Sequence, residues 1–508
     1  MFVVFMVYAG ILNTQFLDGS NINYTFSGHD EYLTVREVYS ILEPASFKHF
    51  AMSIAAGDVM FYGRMMFYTD AIVAYLPYKI GGISGLVYSI RMFHVLCLFF
   101  GLTLLGSTFL KNMLSRLIFY MSVLSLYYTS YFVMVPKPEP FQLLLIAVFI
   151  YYAYKRNWSF GRHFIWLGMA YGVKFNVLMI LPLFFLLPIF VGQFNFKKCI
   201  SSGILFCTGI IIAIPGLLLS PFKPQFLKTY IDSTFKNADH YDDTTVTIMD
   251  WLKDGLFKWY TGGTIIGVIV FAAFLFFITQ GVIRYFKNKS ISSELILSLV
   301  GLCLLLPVMI LTKRLWAHYL WTGFVFLALG LLASAESNFR NTIGKKAAYA
   351  GLSLLMTVSV MFSIIKIYPL VKLEEQAKAI KSDSQKVYDY LNQKPGKISI
   401  LQDITVRYPF TDFLAVSRYH PFAASYPYPI PDKSYMWNSF INPGNIQKQN
   451  ANYLLTYKFN FESDFSENKS RKDEIIQHSY DKMKRELNKT IFPDTVFGEI
   501  HVYRVAND

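Results

Sequence analysis

Charge is scarce in this chain. Asp, Glu, Lys and Arg make up 16% of its 508 residues, against roughly 25% in ordinary soluble domains. The shortage is uneven. Residues 1–370 carry one apolar run after another, whereas 371–508 have the makeup of a water-soluble domain. Two regions in two solvents is the simplest account, and a single soluble globule is excluded. Acids are scarcer than bases, 33 against 47, for a formal net charge of +14. In a membrane protein Lys and Arg collect in cytoplasmic loops, so the surplus does not call for a nucleic-acid partner, and none is expected.

Cysteine is nearly missing. Cys97, Cys199, Cys207 and Cys303 all lie in apolar runs, none falls in 371–508, and there is no CxxC. A disulfide framework is excluded, and small buried apolar residues are what remain. A phosphate loop, a dinucleotide-binding fingerprint and HExxH are also lacking, which argues against a nucleotide as direct donor or fuel. Internal repeats and low-complexity tracts are absent as well.

What the chain has in quantity is apolar runs of membrane-crossing length, about 20 residues or somewhat fewer where flanking groups snorkel. The expected spans are 1–17, 86–109, 117–135, 140–154, 164–175, 177–192, 199–219, 264–283, 294–312, 317–335 and 347–369; the short pair 164–175 and 177–192 could instead be one broken helix, which would reverse everything downstream. Residues 1–17 have no basic leader and no small-residue cleavage site, so they read as a retained first span. With the N-terminus cytoplasmic and all eleven crossing, every inside loop is basic: Lys111 and Arg116; Lys155, Arg156 and Arg162; Lys197 and Lys198; Arg284, Lys287 and Lys289; Arg340, Lys345 and Lys346. Counting 66–82 as a further crossing would reverse all of these loops, so that segment is expected to be interfacial or re-entrant.

The outer face then receives loops 18–85 and 220–263, the turn Pro136-Lys137-Pro138-Glu139-Pro140, and residues 371–508. The expected fold is a polytopic α-helical membrane module over 1–370 followed by a mixed α/β extracytoplasmic domain over 371–508. That domain should open with an amphipathic helix at 372–392 and contain strands at Ile398–Ile404, Tyr453–Tyr457 and Ile500–Val505.

Three groups of residues could carry chemistry. Gly28-His29-Asp30-Glu31-Tyr32 puts two carboxylates just beyond the first span. A carboxylate there could deprotonate an acceptor hydroxyl, or the pair could be an ordinary solvated loop. Glu139 sits between two prolines at the mouth of two spans, where it is either functional or a helix-end cap paired with Lys137. Lys174, Lys313-Arg314 with His318-Tyr319, and Arg64 and Arg91 break the positive-inside bias on the outer face. A phosphate partner would explain them, and so would snorkelling anchors beside Trp316 and Tyr319. His29, His49, His240 and His318 lack diagnostic metal spacing. No obligatory metal is expected, with a divalent ion near Asp30 and Glu31 left open.

In order along the chain stand HDEY, YGRMMFYTDAIVAYLP, PKPEPFQLLLIAVFIYYAY, GMAYGVKFNVLMILP and KRLWAHYLWTGFVFLALG. Together they resemble the GT-C glycosyltransferases, especially the protein O-mannosyltransferase and aminoarabinose transferase branch, over about residues 1–370. The resemblance implies a sugar donor on polyprenyl phosphate, undecaprenyl in bacteria, and inverting transfer to a hydroxyl of a glycan, lipid or protein. It assigns Asp30 as the base, with Glu31 beside it. It assigns Lys174, Lys313 and Arg314, and less directly Arg64, to the donor phosphate, with His318 and Tyr319 beside them. Family members often carry Asp where this chain has Glu139, which leaves that role less defined. A bacterial inner membrane is the implied location. An O-antigen polymerase or ligase would not need an acidic pair so soon after the first span. A flippase or transporter would be expected to show repeats and mid-span charges.

Overall fold

The computed structural model describes residues 29–44, 46–55, 63–219, 246–261, 263–311 and 317–338, scattered positions between 350 and 395, and the strands of the C-terminal region. The expected span 1–17, most of 347–369, most of loop 220–263, and Lys313-Arg314 lie outside the described residues.

The apolar runs fold as helices because a helix satisfies its own backbone where no water can. In chain order these are α1 (His29–Leu42), α2 (Phe47–Ala55), α3 (Arg64–Phe109), α4 (Met113–Leu124), α5 (Tyr127–Met134), α6 (Pro138–Lys155) and α7 (Phe164–Val173). They are followed by α8 (Leu181–Phe190), α9 (Phe196–Ala213), α10 (Thr264–Asn288), α11 (Ser293–Leu311) and α12 (Trp321–Asn338). Among the described residues, five helices are long and apolar enough to cross a membrane: Gly85–Phe109, Phe196–Ala213, Thr264–Asn288, Ser293–Ile310 and Ala317–Ser337. The bent pair Tyr127–Val133 and Pro138–Lys155 makes up to six. Met113–Leu124, Phe164–Val173 and Phe175–Phe190 are apolar but shorter. The protein is thus mostly helical and integral to a membrane. The exposed Ile265, Phe276 and Ile310 would be a liability in water and suit lipid.

One expectation gains detail and one changes. Residues 66–82 form the N-terminal arm of α3, which contains Pro77 and kinks at Gly82 (φ 59°, ψ −144°), a conformation open to glycine. The single span expected at 117–135 is instead two helices, α4 and α5, parted at Ser125 and Leu126, whose backbone at Leu126 is extended. Thr129 Oγ1 compensates the break by donating to the Val123 carbonyl at 2.5 Å.

Two compact units make up the chain. The first takes the described parts of Ala51–Ala74 and Tyr88–Leu370, and the second those of Thr14–Phe50, Tyr75–Val87 and Val371–Asp508. In the first unit α7 packs on α9 through glycine. A side chain at Gly168 would strike the Phe206 carbonyl, and one at Gly209 would strike that of Ile165. Such close backbone approach is how helices associate without a hydrophobic drive. Trp321, fully buried on α12, donates from Nε1 to Thr129 Oγ1 at 2.9 Å.

In the second unit, Lys79 pairs with Glu43 at 3.0 Å, and Tyr39 meets Tyr78 edge to face. Its sheet runs β2-β1-β3-β5-β4, with β1 (Ile398–Asp403), β2 (Lys433–Asn438), β3 (Tyr453–Tyr457), β4 (Ile491–Phe497) and β5 (Ile500–Val505). Strand β1 is parallel to β2 and β3, and β5 is antiparallel to β3 and β4. Gly498, at φ 58°, turns the β4–β5 hairpin. Pro493 is tolerated on β4 because β4 is an edge strand with an irregularity there. Strands β1, β3 and β5 occupy the apolar runs from which strands were expected. The helix expected at 372–392 falls mostly outside the described residues; positions 386, 387 and 389–391 are helical.

Candidate active site

The polar centre of the first unit is built from two helix breaks. Pro138 and Pro140 open α6, with Pro138 in its first turn and Lys137 extended before it. Prolines supply no backbone N–H, so they start a helix readily and cannot continue one from upstream. Glu139 is fixed in that first turn, where the helix dipole favours its charge. The second break is at Lys174, whose extended backbone (φ −154°, ψ 129°) separates α7 from the 3₁₀ turn Phe175–Ile180. Gln142, one turn into α6, clamps this break. Its amide nitrogen donates to the Ala170 carbonyl at 3.1 Å, the Lys174 carbonyl at 2.6 Å and Asn176 Oδ1 at 2.8 Å.

The two breaks bring Lys174 Nζ to 2.5 Å from Glu139 Oε1. The side chains are 5% and 2% exposed. A lone charge at such depth would cost several kcal/mol, about what the partner offsets. The Glu139 oxygen not held by Lys174, Oε2, is buried without a hydrogen-bond partner among the described residues, as is Gln142 Oε1. Unsatisfied buried acceptors are rare in native proteins, and two sit here within one helical turn. The ring of Tyr319 lies 4.4 Å from Lys174 Nζ, in cation–π range.

An aromatic wall continues from Tyr319. His318 and Tyr319 occupy the 3₁₀ turn Ala317–Leu320. The His318 ring is 6.0 Å from Tyr128, which stacks on Tyr260 at 5.9 Å. Tyr260 pins the turn by donating from its hydroxyl to the Ala317 carbonyl at 2.5 Å. The arrangement offers a buried carboxylate with one free oxygen, a cation, and flat apolar faces. It can accept a hydroxyl proton or hydrogen bond, balance a phosphate, and stack a sugar ring.

Sequence reasoning missed Asp70 and His94, although Asp70 lies within the YGRMMFYTDAIVAYLP segment. Both are fully buried on α3. His94 Nε2 lies 3.1 and 3.2 Å from the Asp70 carboxylate oxygens, and Nδ1 is 2.8 Å from the Lys137 carbonyl. Nδ1 must donate to that carbonyl, so a proton is shared between Nε2 and Asp70. The pair thereby anchors the turn that presents Glu139. Two polar residues in runs otherwise rich in apolar ones were the only signal available.

The other expected residues are placed as follows. Arg64 is buried at the start of α3, donates from Nη2 to the Ser53 carbonyl and lies 4.7 Å over Phe67. Asp30 and Glu31 stand in the first turn of α1, in the second unit, with side chains outside the described residues. Lys313 and Arg314 are likewise outside them. Among the described residues, no three His, Cys, Asp or Glu side chains gather as a metal site.

No family model matches the sequence, and no curated protein matches it. Solved structures do. The crystal structure of ArnT from Cupriavidus metallidurans bound to undecaprenyl phosphate matches with a TM-score of 0.56, covering 99% of this chain and 97% of that one at 10% identity. The apo state of the same protein matches with a TM-score of 0.55 and the same coverage and identity. The chain therefore shares the overall fold of ArnT.

Proposed function

We propose that the protein is a membrane glycosyltransferase that moves a sugar from polyprenyl phosphate to an acceptor hydroxyl with inversion. The observation that carries this is the buried Glu139–Lys174 pair, with Glu139 Oε2 left without a partner and Tyr319 against the cation. It lies on a fold shared with a protein whose structure holds undecaprenyl phosphate. In the reaction the acceptor oxygen bonds to the sugar's anomeric carbon as the bond to the phosphate oxygen breaks. The acceptor proton passes to the Asp30 carboxylate, with Glu31 beside it. The leaving polyprenyl phosphate gains one negative charge, balanced by Lys174 with Lys313, Arg314 and Arg64. Glu139 Oε2 accepts a hydrogen bond from a hydroxyl of the donor sugar, and His318 and Tyr319 hold the donor. No metal is obligatory for this scheme. The acceptor is a cell-envelope glycan, lipid or protein.

The same proposal includes eleven crossings, a cytoplasmic N-terminus, an extracytoplasmic α/β domain over 371–508 and residence in a bacterial inner membrane. The supports are the basic loops and the five-stranded sheet. Binding of undecaprenyl phosphate to the purified protein is the test, by thermal shift and by native mass spectrometry. The double variant Glu139→Gln with Lys174→Met keeps the pair's shape without its charge and should weaken binding at least about tenfold. Asp30→Asn should bind as tightly as the parent. Equal binding by the double variant would remove Lys174 from the donor site.

A further inference from the structure

We propose that the first unit carries a site for an anionic phospholipid, at the end of the α7–α9 pair remote from Lys174. Helix α7 has ten residues, about 15 Å of rise, so this site is separate from the Glu139–Lys174 centre. A cavity of about 660 Å³ opens there, lined by Arg162, Lys197 and Ser201 on its polar side and by Ile165, Ile200 and Ile204 on its apolar side.

The cavity follows from how the two helices meet. Ser202, Phe206, Gly209 and Ala213 are the buried stripe of α9. Gly168 and Gly209 draw the helices into backbone contact along it. The neighbouring stripe, Lys197, Ser201 and Ile204, lies beside the contact and stays exposed. Ser202 Oγ donates to the Gly161 carbonyl at 3.4 Å and ties the loop carrying Arg162 to α9. The walls are therefore set by packing and not by loops alone.

Charge selects the occupant. Segments 155–165 and 191–200 contain five Lys and Arg residues, one His and no acid. A side chain at Gly161 would come within 3.2 Å of an Arg156 guanidinium nitrogen, which places a further cation next to Arg162. The N-terminus of α9, capped by Asn195 accepting from the Lys198 N–H at 3.0 Å, adds its positive end. The apolar side then excludes a purely soluble anion as the best fit. A phosphodiester held by Arg162, Lys197 and Ser201 leaves an acyl chain to lie along Ile200 and Ile204. Basic pockets between membrane helices bind anionic head groups in this way.

The test uses the full-length protein in detergent and native mass spectrometry, with dioleoyl phosphatidylglycerol, dioleoyl phosphatidylcholine and glycerol 3-phosphate as probes. Phosphatidylglycerol should be retained over phosphatidylcholine, and Arg162→Gln with Lys197→Gln should lower that retention about tenfold. Lys287→Gln with Lys289→Gln removes the same charge from another basic loop and should leave it unchanged. Both targets are exposed, and unfolding temperatures in phosphatidylcholine should match the parent. The proposal is overturned if the first double variant retains phosphatidylglycerol like the parent. It is equally overturned if both double variants lose it alike, or if glycerol 3-phosphate binds as tightly as the lipid.

Discussion

Helix α10 and the α6–α7 region meet the same demand in opposite ways. Both must satisfy their backbone groups away from water. Thr264–Asn288 does so with 25 unbroken residues, and only 11% of its apolar window is buried. The α6–α7 region is broken at Pro136–Pro138 and at Lys174, and 12 of the 18 residues of α6 are buried. Its freed carbonyls are taken by Gln142, and its charges by Glu139 and Lys174. Irregular backbone survives at membrane depth only inside protein, and that is where Glu139 and Lys174 sit.

The hardest test of that contrast is Glu139→Ala. It strands a buried cation and should destabilise the first unit by about 3–5 kcal/mol, read as loss of the monodisperse detergent-solubilised species. Adding Lys174→Met should restore folding, and a failure to restore it would mean the break depends on more than charge balance. Next in size is His94→Ala. Removing both of its hydrogen bonds should cost about 1.5–3 kcal/mol in thermal unfolding and loosen the Glu139 turn. An unchanged unfolding temperature would detach His94 from that role. The smallest effects sharpen the lipid side of the comparison. Phe276→Leu on exposed α10 should stay within about 0.5 kcal/mol. Phe326→Leu on α12, where 89% of the most apolar window within Ala317–Ser337 is buried, should cost about 1 kcal/mol or more. Equal shifts would say that the two helices share one environment.

Much of this could be read along the chain. Glu139 stood out because prolines flank it, and Lys174 because it interrupts an apolar run. The strands β1, β3 and β5 announced themselves as apolar runs. Strands β2 and β4 did not, since Lys433–Asn438 sits in Pro- and Tyr-rich sequence and β4 contains Pro493. The Asp70–His94 pair was hidden by its spacing, because 24 residues and the Gly82 kink separate the partners. Arg64 read as an outer-face cation, yet its burial against Ser53 and Phe67 depends on how the chain before α3 folds back.

Composition and apolar run length by themselves determined that the chain is a helical membrane protein, because hydrocarbon admits only backbone that satisfies itself. Proline and the lone cation determined where the helices break. Tertiary structure alone decided that the two breaks meet, that Glu139 takes Lys174 rather than Lys137, and that His94 links Asp70 to the same turn. It also decided which apolar helix faces lipid and which faces protein. Lipid and a protein interior ask for the same side chains, so only the packing around each helix tells them apart.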